Sequence, residues 1–194
     1  MHANYTEQER ISRIKKAYST LANAMTRVKA DGGDTVLDAS DKDSTTYSEL
    51  KSWYKKSLSP YLITTKVCYE EAGCWNKTGT KYLNGDSAGS SKGVGTNIIT
   101  AVLNDGTYIN IDFWLQEDIV EKFGVDTECY QAITIYFDIN GDKKPNTFGK
   151  DIFVAIFDED GLVMPFKDRE KSEMEIECSS SGRGYSCINK YMQK

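Results

Sequence analysis

The sequence predicts an α+β fold: a long N-terminal amphipathic helix packed on an antiparallel β-sheet, with a second short helix and irregular loops. Three observations predict it. Residues 5–30 carry apolar side chains at helical spacing, residues 98–165 hold β-prone runs parted by Asn/Asp/Gly turns, and no internal repeat or low-complexity linker divides the 194 residues. A chain of that length, 39% hydrophobic and 27% charged, has enough apolar surface for one core, so a single domain with large loops is expected.

In the first segment Ile11, Ile14, Tyr18, Leu21, Met25 and Val28 recur at steps of three and four, and Ala17, Ala22 and Ala24 widen the stripe. Asp31-Gly32-Gly33-Asp34 ends it, because glycine just past the last periodic residue supplies a left-handed cap. The stripe is shorter than the three to four heptads a coiled coil needs, which favours packing on the protein's own sheet. A second helix is expected over residues 46–58, capped by Thr46 and Glu49 and carrying Leu50, Trp53, Tyr54 and Leu58. Pro60 is expected to close it by disfavouring helical geometry at Ser59.

The next stretch, bounded by Cys68 and Cys74, is polar, and residues 84–97 read as an irregular excursion. Lys92 lies there among Gly89, Gly93 and Gly95 but without the Gly-Lys-Ser/Thr of a phosphate loop. Residues 98–103 and 108–114 flank Asn104-Asp105-Gly106, a strong hairpin signal. Residues 132–137, 152–157 and 162–164, parted by Gly-containing acidic turns, complete a sheet of at least four strands. Residues 166–194 form a C-terminal disulfide-closed region.

A net charge of −5 and a pI near 5.0 argue against a nucleic-acid partner, since phosphate binding leaves a basic footprint. The first 20 residues are polar and no run reaches the ~18 apolar residues of a spanning helix. Met1-His2 followed at once by a mid-helix pattern reads as a truncated start. Five cysteines point to an oxidising, extracytoplasmic location, and their spacing with a single histidine, His2, does not suit zinc. With that one histidine near the terminus, Ser-His or Cys-His nucleophilic chemistry is not supported, and the chain reads as a non-enzyme.

Cys178 with Cys187, and Cys68 with Cys74, close short loops if paired as neighbours, leaving Cys129 over; other pairings stay open at this level. Asp138, Asn140, Asp142 and Asn146 place oxygen side chains around Gly141, and Asp151 follows on the next strand. Hard cations need several oxygens on a sharply turning backbone, so these five are candidate Ca2+ ligands; the competing reading is a polar turn whose aspartates cap backbone amides. Asn76-Lys77-Thr78 and Asn4-Tyr5-Thr6 match the glycosylation sequon. Trp53, Trp75, Trp114 and Tyr82 read as core or loop anchors.

The segments Phe137-Asp138-Ile139-Asn140-Gly141, Lys144-Pro145-Asn146, Gly149-Lys150-Asp151-Ile152-Phe153 and Asp160-Gly161-Leu162-Val163-Met164-Pro165 resemble those of bacterial pilin-like proteins with a prepilin-type methylation signal. The wording there is Asp-x-Asn-Gly, Pro-Asn, Gly-x-Asp-x-Phe and Gly-x-x-x-Pro. Gly182-Arg183-Gly184-Tyr185-Ser186-Cys187 is similar to that family's terminal cysteine region, and residues 7–21 look like the outer half of its spine helix. Residues 31–97 match weakly.

The resemblance implies a pilin fold and a structural subunit of a type IV pilus or type II secretion pseudopilus, anchored in the inner membrane before assembly. It implies other pilin subunits and the assembly machinery as partners, and polymerisation through Ile11, Ile14, Tyr18, Leu21, Met25 and Val28 with the flanking sheet. It implies a calcium ion at Asp138, Asn140, Asp142, Asn146 and Asp151, and a monomer for a form lacking the membrane half. A surface adhesin or uptake module gripping a ligand near Trp75, Tyr82 and Lys92 is the competing reading; an extracytoplasmic hydrolase is a remote one.

Overall fold

A computed structural model describes residues 7–35, 37, 47–89, 98–126, 131–158 and 161–194. His2, the Asn4 sequon, Thr46, Lys92, Gly93, Gly95, Cys129 and Asp160 lie outside the described residues. The architecture is α+β. Helix α1 (Glu7–Ala30) comes first, then α2 (Tyr47–Trp53), which runs on as a π turn (Tyr54–Leu58) and a 3-10 turn (Ser59–Tyr61). Strands β1 (Thr64–Tyr69), β2 (Ile99–Leu103) and β3 (Tyr108–Leu115) follow, then α3 (Gln116–Phe123), β4 (Gln131–Asp138), β5 (Ile152–Asp158) and β6 (Gly161–Val163). Helices α4 (Lys171–Glu177) and α5 (Cys187–Met192) end the chain.

The six strands form one antiparallel sheet in sequence order, a meander. Its two faces bury two separate apolar layers. Ile109, Ile111, Ile133, Ile135, Phe137, Phe153 and Phe157 meet α1, α2 and α5 on one face. On the other, Tyr136, Ile152, Val154 and Ile156 meet Ile119 and Phe123 of α3 together with Trp75, Phe148 and Tyr185. Burial on both faces explains why the β5 sequence is an unbroken apolar run rather than an alternation.

Helix α1 folds because its stripe matches the helical period, and it stops in a Schellman motif. The Gly33 amide donates to the Val28 carbonyl at 2.8 Å and the Gly32 amide to Lys29 at 3.2 Å, with Gly32 at φ 70°. The stripe faces inward. Ile14, Leu21, Met25 and Val28 are at most 1% exposed, Ile11 and Tyr18 are half-buried against the same layer, and the Tyr18 hydroxyl donates to the Leu162 carbonyl at 2.8 Å. For Ile14, Leu21, Met25 and Val28 this corrects the expectation of an assembly face, because the protein's own core already occupies them; Ile11 and Tyr18 keep part of their surface, and the outward side of α1 is the polar one.

The second helical run ends at Leu58 as expected, but not because Ser59 leaves helical geometry. Ser59 is helical at φ −56°, ψ −36°, and its amide donates to the Tyr54 carbonyl. The widened turn lets Pro60 fall at the start of a fresh 3-10 turn, where its missing N–H needs no partner. Strand β1, α3, α4 and α5 were not expected. β1 is an edge strand with Thr65 and Lys66 exposed, so its apolar signal is thin.

Both neighbouring cysteine pairs are bonded, Cys68–Cys74 and Cys178–Cys187, and two disulfides fit an oxidising, extracytoplasmic compartment. The second closes a nine-residue separation between α4 and α5. Replacing Cys178 and Cys187 together by serine is expected to lower stability by about 2–3 kcal/mol in urea titration; a loss under ~0.5 kcal/mol would show that packing alone holds the two helices. No helix among the described residues is long and apolar enough to cross a membrane.

Candidate metal centre

Strand β4 ends at Asp138 and β5 begins just after Asp151, so the connecting loop brings two carboxylates to the same end of the sheet. Both are buried, at 0% and 2% exposure. Asp138 Oδ1 accepts the Asn140 and Gly141 backbone N–H groups at 3.0 Å each, while Oδ2 accepts from Asn76 Nδ2 at 3.4 Å. Asp151 Oδ2 accepts the Asn146 N–H at 2.7 Å and Asn140 Nδ2 at 3.1 Å, and its Oδ1 accepts the Thr147 N–H at 2.6 Å. Asn140 thus bridges the two acids. The Ile139 amide donates to the Asp151 carbonyl at 3.0 Å and closes the loop.

The chain can turn this tightly because Gly141 and Asn146 sit in the left-handed region, at φ 63° and 52°, which glycine and asparagine tolerate. The segment before the first long excursion meets the loop from the side. Asn146 Nδ2 donates to Thr78 Oγ1 at 2.5 Å, the Lys81 amide to the Asn146 carbonyl at 3.0 Å, and the Phe148 amide to the Lys81 carbonyl at 2.9 Å. Cys74, bonded to Cys68 on β1, anchors that segment next to Asn76.

Burial holds the Asp138 carboxyl well above its ordinary range, and the nearby Asp151 charge pushes the same way. Burial also raises Asp151. What offsets these effects is a set of N–H donors rather than a lysine or arginine. Beside the two acids, Oδ1 of Asn76, Asn140 and Asn146 is buried with no hydrogen-bond partner among the described residues. A buried amide oxygen left unmatched costs about 1–3 kcal/mol, so three in one place call for a partner.

This chemistry fits a hard cation. Two carboxylates and three amide oxygens make an all-oxygen donor set of the kind calcium takes, and rotating an amide exchanges its nitrogen for its oxygen. Among the described residues no three Asp, Glu, His or Cys side chains converge as a metal cluster; the donor set relies on asparagine.

Of the five expected ligands, Asp138, Asn140, Asn146 and Asp151 come together. Asp142 does not: it is exposed, on the Tyr108 side of the turn. The turn at Gly141 carries it outward. The polar-turn reading of the loop is realised, because the aspartates do cap backbone amides. Asn76 is the residue the sequence did not assign to the site. Its sequon suggested a glycan, but the side chain is 9% exposed and bonded to Asp138, which leaves no room for one. Trp75 is likewise internal, and Tyr82 stacks on Phe148 at 5.7 Å, so this pair anchors the second layer rather than forming an open aromatic groove. No protein-family model, curated protein or solved structure matches the chain significantly.

Proposed function

We propose that this chain is the headgroup of a pilin or pseudopilin, a structural subunit of an extracytoplasmic filament, with a calcium ion held at the Asp138 loop. The observation that carries the reading is α1 laid on the antiparallel meander: one 24-residue helix committed along its inner side to the sheet and polar along its outer side. That is the layout of a spine helix bearing a globular head. Two disulfides supply the robustness that a subunit outside the cytoplasm needs.

In this reading the α1 stripe joins helix to head within one subunit, and contacts between subunits use the outer side of α1 and the ends of the sheet. Asp138 and Asp151 supply the charge to hold calcium; Asn76, Asn140 and Asn146 supply neutral oxygens. The ion ties the loop before β5 to the segment after Cys74. Its role is structural, stiffening a head that must keep its shape inside a fibre.

The test is where the protein resides in its own cells. An epitope-tagged copy is expected in the sheared filament fraction, and immunogold labelling should run along the fibres. Recovery only as a soluble species, with filaments unlabelled, would overturn the reading.

A further inference from the structure

Over the α3 face of the sheet, the exposed charges of the described residues differ in sign between the two ends of the strands. Strand β3 begins at Tyr108, opposite Asp138, and ends at Leu115, opposite Gln131, where it runs straight into α3. At the Asp138 end, Lys143, Lys144 and Lys150 are exposed on the loop between β4 and β5, and Lys77 and Lys81 are exposed on the segment hydrogen-bonded to it. Lys77, Lys81, Lys144 and Lys150 enter no ion pair among the described residues. Among the described residues the exposed acids at that end are fewer than the lysines: Asp105 is paired with Lys16 at 3.1 Å, Asp138 and Asp151 are buried in the loop, and only Asp86, bonded to Asn84 at 2.9 Å, and Asp142 are exposed.

The α3 end carries the opposite sign. Glu117 and Glu121 are exposed and unpaired among the described residues, while the cations beside them are taken, Lys122 by Asp118 at 2.8 Å and Arg169 by Asp126 at 3.6 Å. The lysine-bearing segment and α3 both lie over the same face of the sheet, Tyr82 and Ala88 packing into the layer that holds Ile119 and Phe123. A second copy displaced along the strands therefore brings acid to lysine.

We propose that this polarity is a head-to-tail contact between copies of the chain, the lysine end of one meeting α3 of the next. Such a heterologous contact closes into a ring or repeats as an open fibre according to its rotation, and the filament reading takes the open form. A second copy fits better than a polyanion, because the matching acidic surface is on the chain itself and a net charge of −5 repels a polyanion at long range. The inference rests on the filament reading for its setting.

Zero-length carbodiimide cross-linking of the intact chain, at high concentration and low salt, tests it. Isopeptide bonds between copies are expected from Lys144 or Lys150 to Glu117 or Glu121, falling roughly tenfold in 0.5 M salt as screening sets in. K144E/K150E should lose them, and mixing it with E117K/E121K should restore them, with circular dichroism melts showing all variants folded. Cross-links that are absent, that join other surfaces, or that ignore the charge reversals overturn the contact. So does labelled duplex DNA that binds the wild type and not K144E/K150E while no cross-links form. Head-to-tail cross-links from a chain absent from filaments would leave this contact standing and remove the filament reading. Filaments that incorporate K144E/K150E at the wild-type level would remove the contact alone.

Discussion

Replacing Asp138 by asparagine is expected to stabilise the metal-free protein at neutral pH and to blunt its response to calcium. The wild-type site buries two carboxylates beside each other, and burial raises both above their ordinary range. Between the unfolded value and the raised folded value, the folded state binds more protons than the unfolded state. Unfolding free energy then falls as pH rises. The stabilising contribution of the protonated form is complete below the unfolded value and lost as pH climbs through the folded one, so metal-free protein should melt higher at pH 5 than at pH 7.5.

Asparagine removes that slope for Asp138, keeps an Oδ1 for the Asn140 and Gly141 amides, and offers an N–H to the orphaned oxygen of Asn76 after that amide rotates. Calcium acts in the opposite sense, favouring the ionised acids. At a hundredfold excess over its dissociation constant it should add about 2.7 kcal/mol, and hence raise the melting temperature by roughly 5–10 °C for a chain this size. The increment should shrink in Asp138→Asn and vanish in D138N/D151N. A wild-type melt that calcium does not move, measured after chelation, sinks the metal site.

Gly184→Ala is expected to be among the most damaging single methyl additions in the molecule, at about 3 kcal/mol or roughly 10 °C in melting temperature. Gly184 has φ 94°, and a Cβ there would stand 2.6 Å from the Phe148 carbonyl oxygen and 3.0 Å from Leu83 Cβ. The obstructing atom is backbone, and the amide of the same residue donates to the Lys81 carbonyl at 2.9 Å, so Phe148 cannot step aside without disturbing the segment beside the Asp138 loop. Gly85→Ala is the control. Its φ of 95° is nearly the same but nothing lies within 4 Å of the new methyl, so it should carry only the backbone strain, about 1 kcal/mol. Equal melting shifts for the two would show that close approach is not what Gly184 provides.

The parts of the fold that were legible share a short range. The α1 stripe, its glycine stop, the hairpin about Asn104-Asp105-Gly106 and the apolar runs of β4 and β5 each report a period or turn written within a dozen or so residues. The parts that were not legible depend on distant company. Strand β1 is a strand because β2 pairs with it across 30 or so residues of chain, and its own side chains alternate weakly. Helix α3 is only eight residues, too short for periodicity to speak, and it is held by Ile119 and Phe123 in the second layer.

By itself the sequence determined the α+β class, the apolar stripe of α1, the main hairpins, the two cysteine closures as candidates and the oxygen-rich character of the Asp138 loop. The tertiary structure decided the rest. It turned Asp142 outward, brought in Asn76 from 62 residues away, and drove Ile14, Leu21, Met25 and Val28 into the protein's own core instead of onto a neighbour. The physical reason is that residue type and spacing fix what a side chain can do, while burial and partners, which decide what it does, are set by segments that meet only once the sheet has formed.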